Sequence, residues 1–175
     1  MLIIGIFGNL GSGKTLSMVM FCELLRKIEN SYIITNLESY KNADMHTKKF
    51  SLSMKFPPGK KIILAIDEIQ AYLDSRKATS NQNVDFSNFL FQIRKMNIAY
   101  MIYTSQLERS VDLRLREITD IKIITRYAKP YVLWHITDSL NNPIKYKIIR
   151  VPDYLYSMYS TYERQIPKYI EKDEY

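Results

Sequence analysis

The segment Gly8–Thr15, with the sequence GNLGSGKT, constrains the fold of this chain more than any other feature. It holds three of the five glycines in 175 residues and ends in a lysine and a hydroxyl side chain. The pattern G-x-x-x-x-G-K-[ST] is that of a phosphate-binding loop between a strand and a helix. Glycines let backbone N–H groups approach phosphate oxygens, and the following helix adds its positive N-terminal dipole. The segment therefore predicts a phosphate ligand.

The residues on either side of this loop show the expected change in periodicity. Residues 2–7 form a short apolar run typical of a buried strand, and apolar side chains recur at helical spacing from Lys14 to about Glu29. A second helical segment is predicted at about 84–96, and the polar residues 38–59 are predicted to form a loop with one short element. Three further apolar runs predict buried strands: 31–37, 60–68 and 98–106.

The pattern changes again after Gln106. Three segments predict an antiparallel β-meander: 120–127, 131–138 and 144–151. The tyrosine-rich tail, 152–175, is predicted to be partly helical or loose. Alternating strands and helices followed by hairpin strands favour a three-layer α/β domain with a mainly parallel sheet plus C-terminal antiparallel strands. We expect a single domain, 1–175, with its core at 1–127 and the meander and tail at 128–175.

The loop supplies candidate ligands for a nucleotide and for Mg²⁺. Lys14 is expected to bridge the β- and γ-phosphates of ATP, and the Thr15 hydroxyl to occupy one Mg²⁺ position. A glycine-rich turn without a ligand is the alternative, but it does not account for a lysine and a threonine at this spacing. The residues predicted to bind the nucleotide are Gly8, Asn9, Leu10, Gly11, Ser12, Gly13, Lys14, Thr15 and Leu16.

A second motif, IILAIDE, places Asp67 and Glu68 at the end of a buried strand. A buried acid is costly unless it is solvated, paired or near a metal, and ligands bind at the carboxyl ends of parallel strands. Asp67 is therefore predicted to bind Mg²⁺ either directly or through another ligand of the ion, and Glu68 to be the base that polarises the attacking water. Two acids in a solvent-exposed loop are the alternative. The adjacent glutamate favours a hydrolytic motor over a small-molecule kinase.

A third group of candidates follows the strand predicted at 98–106. Thr104, Ser105 and Gln106 are expected at the same edge of the sheet, where Gln106 could contact the γ-phosphate or water. A polar strand end without such a role is the common alternative. Arg109 is the first candidate for an arginine finger that a neighbouring subunit inserts, although most arginines in a basic chain are solvated surface residues. The other candidates are Arg94, Arg114 and Arg116.

Composition limits the class of protein. A net charge of +7 and a pI near 9.3 favour a polyanionic partner such as nucleic acid, with a lysine-rich solvated surface as the alternative. No apolar run approaches the roughly 20 residues that span a bilayer, and no signal peptide is predicted. The single cysteine, Cys22, is expected to be buried. Neither His46 nor His135 has a metal-ligand pattern, and packing is expected for His135.

The segments GNLGSGKT, LAIDEIQ, YTSQ and VDLRLREITD, in this order and spacing, resemble the FtsK–HerA superfamily of P-loop ATPases. The closer likeness is to its Zot-like and viral genome-packaging members, from phages and archaeal viruses. The likeness covers roughly residues 1–127. It returns at 156–163, where YSMYSTYE is similar to a tyrosine–threonine–glutamate ending seen in that group.

The resemblance implies a RecA-like core in which the sensor strand lies between the phosphate-loop and metal-aspartate strands. It implies Mg²⁺-dependent ATP hydrolysis in a homo-oligomeric ring, with six subunits expected, and translocation of double-stranded DNA into a preformed capsid. By position, Lys14 and Thr15 take the phosphate and Mg²⁺ roles, Asp67 and Glu68 the metal and base roles, and Gln106 the sensor role. The implied location is the cytoplasm of a virus-infected host cell, in association with the virion or its inner membrane.

Two functions from different classes are consistent with these motifs. The first is a DNA-translocating ATPase motor, which Glu68 favours. The second is a Zot-like assembly or extrusion ATPase, or an ATP-dependent scaffold protein with slow turnover. The lack of a membrane-spanning segment disfavours extrusion. The tyrosines of the tail could stack on bases, but packing against the domain or a neighbouring subunit is favoured.

Overall fold

The computed structural model describes residues 1–50, 54–72 and 88–160. Within these ranges eight strands form one mixed sheet in the order β3-β2-β4-β5-β1-β6-β7-β8. The strands are β1 (Leu2–Phe7), β2 (Ser31–Thr35), β3 (Met45–His46), β4 (Lys61–Ile66), β5 (Ile98–Ser105), β6 (Ile121–Ala128), β7 (Tyr131–Asp138) and β8 (Pro143–Arg150). Each of the predicted strands is present, and β3 is the short element expected in the polar segment 38–59.

The sheet is parallel from β3 through β6 and antiparallel from β6 through β8. Strand β6 pairs with β1 on one side and opens the predicted meander on the other. Strand β5 lies between β1 and β4, so the strand that carries the sensor candidates separates the phosphate-loop strand from the Asp67 strand. This is the order that the resemblance implied. The carboxyl ends of the three strands consequently meet at one edge.

The helical elements cover both faces of the sheet. Helix α1 (Lys14–Ile28) follows the loop directly, as predicted. Residues 88–92 are helical and run into a 3-10 turn at Ile93–Met96, within the segment predicted at 84–96, of which 84–87 lie outside the described residues. Shorter elements are the helix Leu113–Glu117 and the 3-10 turns Ile69–Ala71, Glu108–Ser110 and Asp153–Ser157.

Two apolar cores lie on opposite faces of the sheet because side chains alternate along each strand. Ile62, Leu64 and Ile66 of β4 face the 88–96 segment, whereas Ile63 and Ala65 face α1. The arrangement is therefore the predicted three-layer α/β fold.

Cys22 and Trp134 pack in the core on the α1 side of the sheet. Cys22 is completely buried there, and burial raises the pKa of its thiol. Trp134 of β7 stacks on Phe21 with ring centroids 4.6 Å apart and donates from Nε1 to Ser17 Oγ over 2.8 Å. His135, on the opposite face of β7, stacks on Tyr146 at 4.3 Å, which confirms its packing role.

The described part of the tail packs against α1. Leu155 and Met158 are buried in the α1 core, next to the 3-10 turn Asp153–Ser157. Lys41 N donates to Met158 O over 2.9 Å, and Ser160 N donates to Ser39 Oγ over 2.9 Å. These bonds fasten residues 152–160 to the loop that follows β2. Residues 161–163 of the predicted tyrosine–threonine–glutamate ending lie outside the described residues.

Candidate nucleotide-binding site

The phosphate loop is tightly packed against β6. Gly13 has a φ of 84°, which favours glycine, and a Cβ there would lie 3.1 Å from the Cβ of Tyr127, so a larger residue would also be crowded. Ser12 Oγ lies 3.2 Å from Thr125 Oγ1, which donates to Phe7 O over 3.3 Å. Strand β6 is therefore connected to the loop by side-chain hydrogen bonds as well as by its pairing with β1.

Lys14 lies inside this loop rather than on the surface. Its side chain is buried, and Nζ donates to Asn9 O over 3.0 Å. Burial lowers the pKa of Lys14 from its ordinary value, while the nearby carboxylates of Asp67 and Glu68 oppose that shift. A partly desolvated cation at the phosphate loop is well suited to attract phosphate oxygens.

Asp67 is held by two hydroxyl groups at the carboxyl end of β4. Thr15 Oγ1 lies 3.0 Å from Oδ1 and 3.2 Å from Oδ2, and Thr104 Oγ1 donates to Oδ1 over 2.6 Å. Burial raises the pKa of Asp67 to about 6, although both hydroxyl bonds favour the ionised form. The loop and the acidic motif, 52 residues apart, are thus in direct contact.

Asn36, a residue that the sequence analysis did not single out, fixes the backbone of Asp67. Its Nδ2 donates to Asp67 O over 2.8 Å, and its Oδ1 accepts from Asp67 N over 2.7 Å. Asn36 is fully buried at the end of β2, the strand beside β4. Asn36 lies inside the run 31–37 that the sequence analysis assigned to a strand, and a polar side chain near the carboxyl end of that run was the signal for its position at this edge.

Glu68 turns the chain away from β4 in the left-handed region, with φ 50° and ψ 57°. A non-glycine residue is uncommon in this region, and such residues concentrate at functional sites. The Glu68 N–H donates to Thr104 Oγ1 over 2.9 Å, which secures this geometry. Thr104 is therefore hydrogen-bonded to both acidic residues.

Lys14, Thr15, Asp67 and Glu68 line one cavity of about 470 Å³. From the loop and α1 it is lined by Leu10, Gly11, Gly13, Lys14, Thr15 and Leu16. Asp67 and Glu68 also line the cavity, and the remaining lining residues are Tyr127, Tyr156, Tyr159 and Ser160. The volume falls within the usual range of small-molecule sites, which is about 300–1,000 Å³.

Other predicted site residues lie outside this cavity. Gly8, Asn9 and Ser12 belong to the body of the loop and do not line it. Gln106 and Arg109 are exposed and do not line it either, so a role for them as sensor and finger stays a prediction. Arg114 pairs with Asp112 at 3.3 Å. The side chain of Arg94 lies outside the described residues, and the partly buried Arg116 does not line the cavity.

Three tyrosines of the cavity were not predicted as site residues. Tyr156 and Tyr159 pack partly against the α1 core, as expected for the tail, but they also line the cavity. Tyr127 reaches the cavity from β6. Their separation from the loop by more than 110 residues left no local pattern in the sequence that could associate them with it.

The residues present fit a bound Mg²⁺ ion. The Thr15 hydroxyl and the Asp67 carboxylate are hard oxygen ligands, and a buried carboxylate bonded only to hydroxyls favours a cationic neighbour. Across the described ranges, no group of three His, Cys, Asp or Glu side chains could hold a metal. A magnesium ion here would accordingly depend on phosphate oxygens and water for its remaining ligands, as is usual at nucleotide sites.

The fold is similar to those of solved P-loop ATPases. The N-terminal domain of zonular occludens toxin from Neisseria meningitidis matches with a TM-score of 0.66 and 18% identity, over 91% of this chain and 98% of that one. The genome packaging NTPase B204 from Sulfolobus turreted icosahedral virus 2, in complex with ATP-gammaS, matches with a TM-score of 0.56 and 15% identity, over 85% and 96%. ATPases 2 and 3 of EccC from Thermomonospora curvata match with a TM-score of 0.53 and 9% identity, over 86% and 36%.

These matches confirm the predicted α/β fold of a P-loop ATPase and the resemblance to Zot-like and packaging ATPases at the level of structure. No protein-family model matches the chain, and no curated protein matches it by sequence. In residues 1–50, 54–72 and 88–160, no helix has the length and apolar character needed to cross a membrane.

Proposed function

We propose that this protein is an ATP-hydrolysing motor that translocates double-stranded DNA and packages a viral genome into a capsid. The observation that carries the proposal is the convergence of Lys14, Thr15, Asp67 and Glu68 on one cavity at the carboxyl edge of the sheet. Similarity to a genome packaging NTPase solved with ATP-gammaS supports both the nucleotide and the packaging role.

Each residue has a distinct part in the proposed hydrolysis. Lys14 and the backbone N–H groups of the loop bind the β- and γ-phosphates and stabilise the charge that develops on them. Thr15 and Asp67 would hold Mg²⁺, which supplies positive charge at the phosphate oxygens when it is bound. Glu68 orients the attacking water and accepts its proton. The hydrogen bonds of the Thr104 hydroxyl hold both acidic residues in position.

The proposed DNA partner is supported by charge. The chain carries 25 Lys and Arg against 18 Asp and Glu, which gives the net charge of +7. A basic surface attracts a polyanion without reading its sequence, as a translocating motor requires. We expect hydrolysis to take place in a ring in which Gln106 senses the γ-phosphate and Arg109 reaches the neighbouring subunit's nucleotide, because both side chains are exposed near the edge that carries the site.

A second candidate function is a Zot-like assembly or extrusion ATPase, or a slow ATP-dependent scaffold protein. The observation that favours it is the match to the zonular occludens toxin domain, which extends over 98% of that domain. Glu68 lining the cavity argues for turnover and hence for the motor.

Steady-state ATP hydrolysis with and without double-stranded DNA tests the proposal. Wild type is compared with Glu68→Gln, which keeps the shape of the side chain but removes the base. Glu117→Gln is the matched control, because Glu117 is exposed and does not line the cavity. We expect DNA to accelerate wild type and the control, and Glu68→Gln to bind ATP while losing hydrolysis by at least about 100-fold.

Three results would contradict the proposal. Full activity of Glu68→Gln would remove the assigned base, and DNA-independent hydrolysis would favour the assembly ATPase. ATP binding with negligible hydrolysis under all conditions would favour the scaffold protein.

A further inference from the structure

The lining of the cavity is of two chemical kinds. Lys14, Thr15, Asp67 and Glu68 provide charges and hydroxyls for phosphates and a metal. The lining residues that β6 and the tail contribute, called here the aromatic end, are Tyr127, Tyr156, Tyr159 and Ser160. A nucleotide is divided in the same way, into a polyanion and a flat, largely apolar base.

The aromatic end begins directly behind the phosphate loop. Tyr127 on β6 is the residue that a Cβ at Gly13 would meet at 3.1 Å. Its hydroxyl donates to the hydroxyl of Tyr156 over 2.9 Å, and the Lys129 ammonium lies 5.2 Å from the ring centroid of Tyr156. The two tyrosines are therefore connected to each other and to the loop.

The tail holds its tyrosines in place through buried neighbours. Leu155 precedes Tyr156, Met158 precedes Tyr159, and both apolar side chains are buried in the α1 core. The bonds from Lys41 N to Met158 O and from Ser160 N to Ser39 Oγ fix the backbone on either side of Tyr159. The aromatic end is thus built by packing and hydrogen bonds rather than by a free segment.

The hydroxyls of Tyr127 and Tyr159 are neutral at ordinary pH. Burial raises the pKa of Tyr127 to about 12 and raises that of Tyr159 further, with the Asp67 carboxylate contributing to the Tyr159 shift in the same direction. Among the described lining residues, the acidic side chains are Asp67 and Glu68, the basic one is Lys14, and no side-chain amide is present. In the part of the chain that the structure describes, the aromatic end consequently offers rings for stacking, and no carboxylate, guanidinium or side-chain amide that would read the edge of a base.

We propose that Tyr127, Tyr156 and Tyr159 form the nucleoside subsite of this cavity, holding the base by stacking and discriminating little between ATP and GTP. The inference rests on the proposed function, because it takes the loop to bind the phosphates. Stacking tolerates any base, since every base has a π-face. The three tyrosines would contribute to nucleotide affinity but not to the hydrolytic step.

Inorganic tripolyphosphate separates the two kinds of lining, because it has the phosphates of ATP without the nucleoside. Binding of ATP, GTP and tripolyphosphate is measured by calorimetry, with Mg²⁺ present, for wild type, Tyr156→Leu, Tyr156→Phe and Lys14→Ala. Tyr154→Leu is the matched control, because Tyr154 belongs to the same 3-10 turn, is 46% exposed and does not line the cavity. Circular dichroism verifies that each variant is folded.

We expect Tyr156→Leu to weaken ATP and GTP binding about tenfold and to leave tripolyphosphate binding unchanged. Tyr156→Phe, which keeps the ring and loses the hydroxyl pair, should retain most of the affinity for ATP. Lys14→Ala should weaken all three ligands, and Tyr154→Leu none. Wild type should bind ATP and GTP with similar affinity.

Three results would overturn the inference while leaving the proposed function intact. These are an unchanged ATP affinity in Tyr156→Leu, an equal loss for ATP and tripolyphosphate, and a gain in ATP affinity, which would mean that the tail obstructs the site. Strong preference of wild type for one base would refute weak discrimination. Wild type that binds neither ATP nor tripolyphosphate would refute the proposed function, and the subsite with it.

Discussion

At the scale of single residues, Asp67 has the most unusual environment in the site. It is buried, and its side-chain neighbours are the neutral hydroxyls of Thr15 and Thr104, with Lys14 close enough to lower its pKa slightly. Desolvation outweighs these favourable contacts, which is why its pKa is raised to about 6. An ionised carboxylate that is buried in this way destabilises the folded protein, and it therefore binds a cation readily.

The raised pKa of Asp67 predicts a specific pH dependence of stability. Since its pKa is about 6 in the folded chain and 3.8 ordinarily, the folded protein retains a proton that the unfolded chain releases between about pH 4 and 6. The contribution of Asp67 to the free energy of unfolding therefore falls as the pH rises through this window. We expect Asp67→Asn to become more stable relative to wild type between pH 4 and 7, by at most about 3 kcal/mol.

Urea denaturation of wild type and Asp67→Asn at pH 4, 5, 6 and 7 measures this difference. Asp138→Asn is an informative control, because hydrogen bonds from Asn142 lower the pKa of the half-buried Asp138, so its effect has the opposite sign. A difference between Asp67→Asn and wild type that does not change with pH would refute the prediction.

At the scale of elements, Trp134 joins the meander to the P-loop helix by both a ring contact and a hydrogen bond. Trp134 of β7 stacks on Phe21 and donates a hydrogen bond to Ser17, and both partners belong to α1. The helix that begins at the phosphate loop is thereby fixed against antiparallel strands as well as against the parallel sheet.

Trp134→Phe is expected to lower the free energy of unfolding by about 1–3 kcal/mol. The ring can still stack on Phe21, but the buried Ser17 hydroxyl loses its donor partner. The double variant W134F/S17A should recover part of this loss, because no buried hydroxyl is then left unsatisfied. Chemical denaturation followed by circular dichroism measures the cycle, and the half-exposed Tyr131→Phe is the control. Strictly additive losses would show that the hydrogen bond contributes nothing.

The elements show what a sequence can and cannot predict here. The loop Gly8–Thr15, the strand before it and the helix after it are adjacent in sequence, so local patterns were sufficient to predict them. Asp67 was predictable because an acid after a buried strand is costly without a partner. The Asn36 bonds to Asp67 and the tyrosines of the cavity depend on which distant strands and loops become neighbours, and no local period encodes that information.

At the scale of the whole molecule, the exposed Arg109 allows a test of whether sites lie between subunits. We expect Arg109→Ala to bind ATP but to lose hydrolysis by about 1,000-fold or more, because an arginine finger has that effect. Lys14→Ala should also be inactive, because it lacks the phosphate-binding lysine, but its Arg109 can still act on a neighbouring subunit. Mixing the two variants should restore activity to about a quarter of wild type, since half of the intact nucleotide sites would face an intact finger.

A mixture of Lys14→Ala with Glu68→Gln is the control for this complementation. It should stay inactive, because the subunits that bind ATP then lack the base whichever neighbour they have. Failure of the first mixture to recover activity would show that Arg109 does not act between subunits. Unimpaired hydrolysis by Arg109→Ala would remove it as the finger altogether.

The burial of Cys22 has a practical consequence for following the site in solution. It is the single cysteine of the chain, and its thiol is both inaccessible and reluctant to ionise. A maleimide dye should consequently leave the native protein unlabelled and react at one place only in a Ser160→Cys variant. Ser160 is exposed at the rim of the cavity, so such a fluorophore would report nucleotide arrival without any need to remove the natural thiol.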